Sequence, residues 1–147
     1  MGTRPARGTA DRPRSVALTI TVALLVVSAA ANVAGAIASL YLLWQPAEAQ
    51  VLFDATVSDW FWGLSALLFA TLAIVYVYVL RSVLARDAGA GLAVSVLGLL
   101  GVGYSLLSIT HLYGWIVLAV SLGLLVANQA ATAQGHYAGH ALSMRAD

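Results

Sequence analysis

The chain has 147 residues, 61% of them hydrophobic and 9% charged, with a formal net charge of +1. Soluble domains carry roughly 25% charged residues, so this composition excludes a water-soluble globular fold and assigns an integral membrane protein. Cysteine is absent, which excludes disulfides, thiolate catalysis and thiolate metal sites.

Residues 1–15 form a polar segment in which Arg4, Arg7, Arg12 and Arg14 outnumber Asp11. Pro5 and Pro13 oppose helix there, so it reads as a disordered basic tail. Val16 to Trp44 then runs for 29 residues without a charge, enough for one tilted membrane span. Ala31, Gly35 and Ser39 step by four along it, a row of small side chains that lets a second helix backbone approach. Tyr41 and Trp44 mark an interface, where amphipathic rings prefer to sit. The basic tail, the apolar run and Ser28-Ala29-Ala30-Ala31 also have the order of a secretory signal peptide. The apolar run continues past that point, which favours an uncleaved span.

Gln45 to Asp59 is the one sizeable polar connection and carries Glu48, Asp54 and Asp59 with no base. The second span is read as 60–80, opening on Trp60-Phe61-Trp62, with a small seam at Gly63, Ala66, Ala70 and Ala73. A basic turn over 81–88 follows. The third span, 89–108, holds five glycines and no charge; Gly91, Ser95, Gly98 and Ser105 share one helix face, as a central, tightly packed helix would need. A short connection over 109–114 leads to the fourth span, 115–133, with Ala119, Gly123, Ala127 and Ala131 stepping by four. Residues 134–147 read as a polar tail.

All seven basic residues are arginines, at 4, 7, 12, 14, 81, 86 and 145. They fall in the two tails and the 81–88 turn, while the other two connections have none. Arginine is retained on the cytoplasmic side of multispanning proteins, so both termini are expected inside and 45–59 and 109–114 outside. Trp44, Trp60, Trp62 and Trp115 are then all expected at the outer interface. The expected fold is an all-α, four-span membrane bundle, N-in and C-in, in the cytoplasmic membrane.

This layout resembles a family of small four-span bacterial inner-membrane proteins. The resemblance rests on Asp59-Trp60-Phe61-Trp62-Gly63 opening the second span, the arginine-containing turn before a glycine-rich third span, and Leu112-Tyr113-Gly114-Trp115 opening the fourth. It covers about 16–133 and implies the fold, with no catalytic or binding residue.

Candidate chemistry is sparse. Glu48, Asp54, Asp59 and His111 gather on the expected outer face as an acidic rim. A metal site there would need converging ligands, and no spacing is diagnostic, so no metal is assigned. His136 and His140 lie four apart, but Gly135 and Gly139 oppose a helix, and a flexible tail is the simpler reading. Asn32 reads as the one strongly polar side chain deep in a span, needing a partner such as Ser65, Thr71, Ser95 or Ser121. Asn128 and Gln129 read as close enough to the membrane surface for water to satisfy them. No ionisable residue lies mid-span, which argues against proton-coupled transport and ion pumping. No nucleophile, base and acid can be assembled, so no catalytic residue and no cofactor is assigned.

Three functions remain: a non-enzymatic structural or accessory subunit, favoured; an oligomeric passive pore or small-solute carrier entered through the acidic rim; and, least favoured, a membrane enzyme or a quinone- or lipid-binding helper. The expected partners are membrane lipids and either a second copy or another membrane protein, and not nucleic acid.

Overall fold

The computed structural model describes residues 15–45, 47 and 59–137. Glu48, Asp54, His140 and most of both tails lie outside the described residues. Within them are four helices: α1 Val16–Trp44, α2 Asp59–Ala85, α3 Ala90–Leu107 and α4 Leu112–Ala133. All four are long and apolar enough to cross a membrane. The shortest, α3, has 18 residues, and at about 1.5 Å per residue it reaches about 27 Å, close to a hydrocarbon core of about 30 Å.

The helix ends follow from local chemistry. At the start of α1 the Ser15 hydroxyl accepts from the Leu18 N–H at 3.2 Å, satisfying one of the amides that no helical turn precedes. α1 stops at Gln45, whose N–H still reaches the Tyr41 carbonyl at 3.0 Å. Pro46 is next in sequence and disfavours helix in the residue before it. α2 runs beyond the expected 80 to Ala85, so Arg81 lies on the helix and the turn shrinks to 86–89. The helix is closed by Arg86 in a left-handed conformation (φ 61°). There the Arg86 N–H meets the Val83 carbonyl at 3.2 Å and the Asp87 N–H meets the Ser82 carbonyl at 3.0 Å. This paired pattern satisfies carbonyls that the helix itself cannot.

Consecutive helices are antiparallel. α1 packs most extensively on α2 and α3 on α4; α1 also packs on α4, while the α2–α3 contact is slight. Two hairpins are thus joined mainly through α1 and α4. The main buried cluster includes Leu18 and Leu25 from α1, Val79 and Val83 from α2, Ala90, Val94 and Leu97 from α3, and Leu124 and Ala131 from α4. These all belong to the end of the molecule that carries the Arg86 turn. A second cluster, Leu42 with Trp62, ties only α1 to α2 at the His111 end.

The small residues explain how close the helices come, and the contacts differ from the sequence rows at several positions. A side chain on Gly35 would lie 3.1 Å from the Phe69 ring, and one on Gly98 would lie 2.7 Å from Leu125. At Gly101 it would collide with Ser121. Ser39, Ala66, Ala73 and Ala127 are buried, and Gly123 faces Leu24. Ala31, Ala70 and Ala119 are exposed. Ala70 is turned out because the α2 contact row runs Ala66, Phe69, Ala73. Gly63 has nothing within 4 Å of a would-be Cβ. Trp62 is buried and edge-on to Phe61 at 5.3 Å, so it packs the α1–α2 hairpin, whereas Trp44, Trp60 and Trp115 are exposed.

Overpacking a close helix contact costs about 1–3 kcal/mol. Gly98→Val and Gly101→Val are therefore expected to destabilise the protein by about that amount, seen as a lower thermal unfolding midpoint in detergent. Gly63→Val, with open space around it, is expected to leave the midpoint unchanged or raise it.

Candidate functional site

The inward face of α4 carries Ser121, Leu124, Asn128 and Ala131 at steps of three and four, and all are buried. This periodicity places an amide inside the protein. Asn128 is only 2% exposed. An unpaired amide in that setting costs about 1–3 kcal/mol, and here both N–H groups and the oxygen are engaged. The Nδ2 group donates to the Gly91 carbonyl at 2.8 Å and to Ser95 Oγ at 3.0 Å. Oδ1 accepts from the Tyr137 hydroxyl at 2.9 Å. The Ser95 hydroxyl in turn donates to the Gly91 carbonyl at 3.0 Å. One amide thus joins α3, α4 and the segment after α4. Water does not satisfy it, contrary to what its place near the end of a span suggests.

Tyr137 reaches Asn128 because the chain reverses just past α4. Gly135 adopts φ 71°, where a side chain would be strained. Its N–H meets the Thr132 carbonyl at 2.9 Å, and the His136 N–H meets the Ala131 carbonyl at 3.2 Å. The turn lays the Tyr137 ring across α3, where a side chain on Gly91 would lie 3.0 Å from it. Burial raises the Tyr137 pKa, so the hydroxyl remains a donor. His136 packs edge-on to Tyr137 at 5.2 Å, and its Nε2 is buried without a partner. Burial lowers the His136 pKa; the Val83 carbonyl opposes this, and the nearby Arg86 charge adds to it.

Beside this network lies an open groove between α3 and α4, about 530 Å³ in volume. Gly91, Ser95, Asn128 and Tyr137 line it, with apolar contributions from Ala88, Leu92 and Ala133. Gln129 and Thr132 also line it and are exposed. The described lining residues offer amide and hydroxyl groups and no formal charge, so the groove suits a largely apolar ligand with hydrogen-bonding atoms.

The other sequence candidates are dispersed. Asn32 donates to the Ser28 carbonyl of its own helix at 2.8 Å; none of Ser65, Thr71, Ser95 or Ser121 is its partner. Thr71 bonds back to Leu67 at 2.8 Å, and Ser95 serves Asn128. Asp59 and His111 are exposed at the starts of α2 and α4, and His111 stacks on Tyr113 at 5.4 Å. Among the described residues no three His, Asp or Glu side chains converge as metal ligands. Of the small residues, Gly91 and Ser95 belong to the amide network; Gly35, Gly98 and Gly123 lie against side chains of a neighbouring helix, and Ser39 and Ala127 are buried. The signal for Asn128 was present as its three/four spacing from Ser121, Leu124 and Ala131. The signal for Tyr137 was absent, because it depends on the reversal at Gly135.

No family model, curated protein or solved structure matches the chain.

Replacing the amide strands the partners it joins. Asn128→Leu is expected to destabilise the protein by about 1–3 kcal/mol and Tyr137→Phe by about 1 kcal/mol. Asn32→Leu should stay within about 0.5 kcal/mol. Thermal unfolding of the variants in detergent checks the order. The lowered His136 pKa means the docked segment binds fewer protons than the undocked one, so docking strengthens with rising pH. It is complete above the ordinary histidine value of about 6.5 and weakens as pH falls through and below it. Amide exchange at 134–137 should accelerate at pH 5.5 relative to its intrinsic rate, and His136→Asn should remove that dependence.

Proposed function

We propose that the chain is a non-enzymatic, four-span bundle of the cytoplasmic membrane with both termini inside, acting as a structural or accessory subunit. The similarity to small four-span inner-membrane proteins belongs to the same proposal. The arrangement of polar groups carries it. Along the spans, Asn32, Thr71, Ser95, Ser105 and Asn128 donate to carbonyls or side chains of the same chain. Four of these bonds stay within one helix, and those of Asn128 cross from α4 to α3; a bond between helices fixes their register. One N–H of Asn32, the polar group a carrier would use, is already taken by the Ser28 carbonyl of its own helix. The sidedness rests on the seven arginines, all placed in the tails or at Arg81 and Arg86.

The cysteine-free sequence makes labelling direct. Thr3→Cys and Ala88→Cys should react with an impermeant maleimide only after permeabilisation, and His111→Cys should react in intact cells; the opposite pattern overturns the topology. For the role, vesicles holding the purified protein should leak ions and small solutes no faster than empty ones. In native membranes mild solubilisation should release the protein in an assembly larger than its own monomer or dimer. Solute flux that Asn32→Leu abolishes would replace the accessory reading with a carrier.

A further inference from the structure

Tyr137 sits in the protein as a bound ligand would. It comes from the segment beyond α4, which ends at Ala133, and it is only 6% exposed. Its ring lies against bare backbone at Gly91, where a side chain would come within 3.0 Å of it. It shares one buried cluster with Ala90, Val94 and Ala131, and its hydroxyl donates to Asn128 Oδ1 at 2.9 Å. Helices α3 and α4 thus form a slot with a flat wall, an apolar interior and one hydrogen-bond acceptor. Those features select a planar ring that carries a hydroxyl donor, and the chain supplies one.

Three features make this occupant exchangeable. Its tether is short and pivots at Gly135 (φ 71°), held to the last turn of α4 by the Gly135 and His136 N–H groups. Docking also buries His136 Nε2 without a partner. Undocking returns that nitrogen to water, which offsets part of what burying Tyr137 gains. Finally, the open groove of about 530 Å³ has Tyr137 in its wall, which gives a second molecule a path to the edge of the ring.

The groove also holds contacts that Tyr137 leaves unused. Leu92 and Ala133 line it and are exposed. A tethered side chain competes at a high effective concentration, so a free ring alone is at a disadvantage. A ring with an apolar substituent lying on Leu92 and Ala133 makes up that difference.

We propose that the slot under Tyr137 is a binding site for an alkyl-substituted aromatic hydroxyl compound, and that Tyr137 is its built-in competitor. The hydroxyl lies on Asn128 Oδ1, the ring on Gly91, and the substituent on Leu92 and Ala133. Binding expels Tyr137, so the site opens only as its occupant leaves, as in pockets that a ligand itself makes dominant.

The test compares 4-propylphenol with 4-propylanisole, whose oxygen has no proton to donate, on the full chain in dodecyl maltoside, with the partition of each compound into detergent measured. In the wild type, saturating 4-propylphenol should speed amide exchange at Gly135 and His136 severalfold while α4 around Leu124 stays protected. The anisole should not. Tyr137→Ala removes the competitor and should bind the phenol more tightly than the wild type does, with about fivefold preference over the anisole. Adding Asn128→Leu should abolish that preference. The wild-type arm needs no variant and decides the matter if Tyr137→Ala fails to fold. Unchanged exchange at saturation overturns the proposal, because Tyr137 is then a fixed part of the core. Equal action of the two compounds overturns it as well, leaving an apolar cavity without hydrogen-bond selection. Acceleration along the whole chain marks general loosening by the additive and equally overturns it. Neither sidedness nor the accessory role enters this measurement, so their failure leaves its result unaffected.

Discussion

A buried amide in a protein built for hydrocarbon must find its partners inside the protein, and Asn128 organises its surroundings by that requirement. Its two N–H groups fix where α3 sits, because they need the Gly91 carbonyl and the Ser95 hydroxyl. Its oxygen fixes where the chain goes after α4, because it needs the Tyr137 hydroxyl. The Gly135 turn and the bare backbone at Gly91 are the means by which that second demand is met. Apolar burial gives little direction between helices that are apolar on every face; directional bonds supply the register.

The same logic accounts for the uneven joining of the two hairpins. Within α3–α4, Gly98 and Gly101 bring backbones close against Leu125 and Ser121. Within α1–α2, Gly35 receives Phe69, and Trp62 closes the far end against Leu42. Between the hairpins the tie is the cluster at the Arg86 end. The most elaborate polar chemistry and the largest shared core therefore occupy the same half of the molecule, and the groove borders both.

The helices were legible in the sequence because membrane spans are set by length and apolarity, which are local properties. The 29 residues from Val16 to Trp44 carry no charge and so mark the span by themselves. Small-residue rows were legible as rows, but not their rotation. Ala66 and Ala73 face inward while Ala70 does not, because the side chains at Phe69 and Trp62 decide the contact line. Ala31 and Ala119 are exposed although each sits in a row with a small residue that is not, because spacing does not say where a neighbouring helix lies. Asn32 drew attention through its depth in a span, yet a helix can satisfy an asparagine through the carbonyl one turn back, as at Ser28. Asn128 drew none through its place near a span end, yet depth along the axis and burial within the protein are independent quantities.

The reversal at Gly135 has a consequence for the order in which the chain can finish folding. Tyr137 follows all four helices in synthesis, and its hydroxyl is the donor that Asn128 Oδ1 receives. α4 can dock on α3 before the turn at Gly135 has closed, but only with the Asn128 oxygen lacking its Tyr137 donor. The last step is then a local one: a single turn of chain folds back and its aromatic ring seals the amide. Residues 134–137 look like the beginning of a tail by composition, yet they complete the core that the four helices leave open.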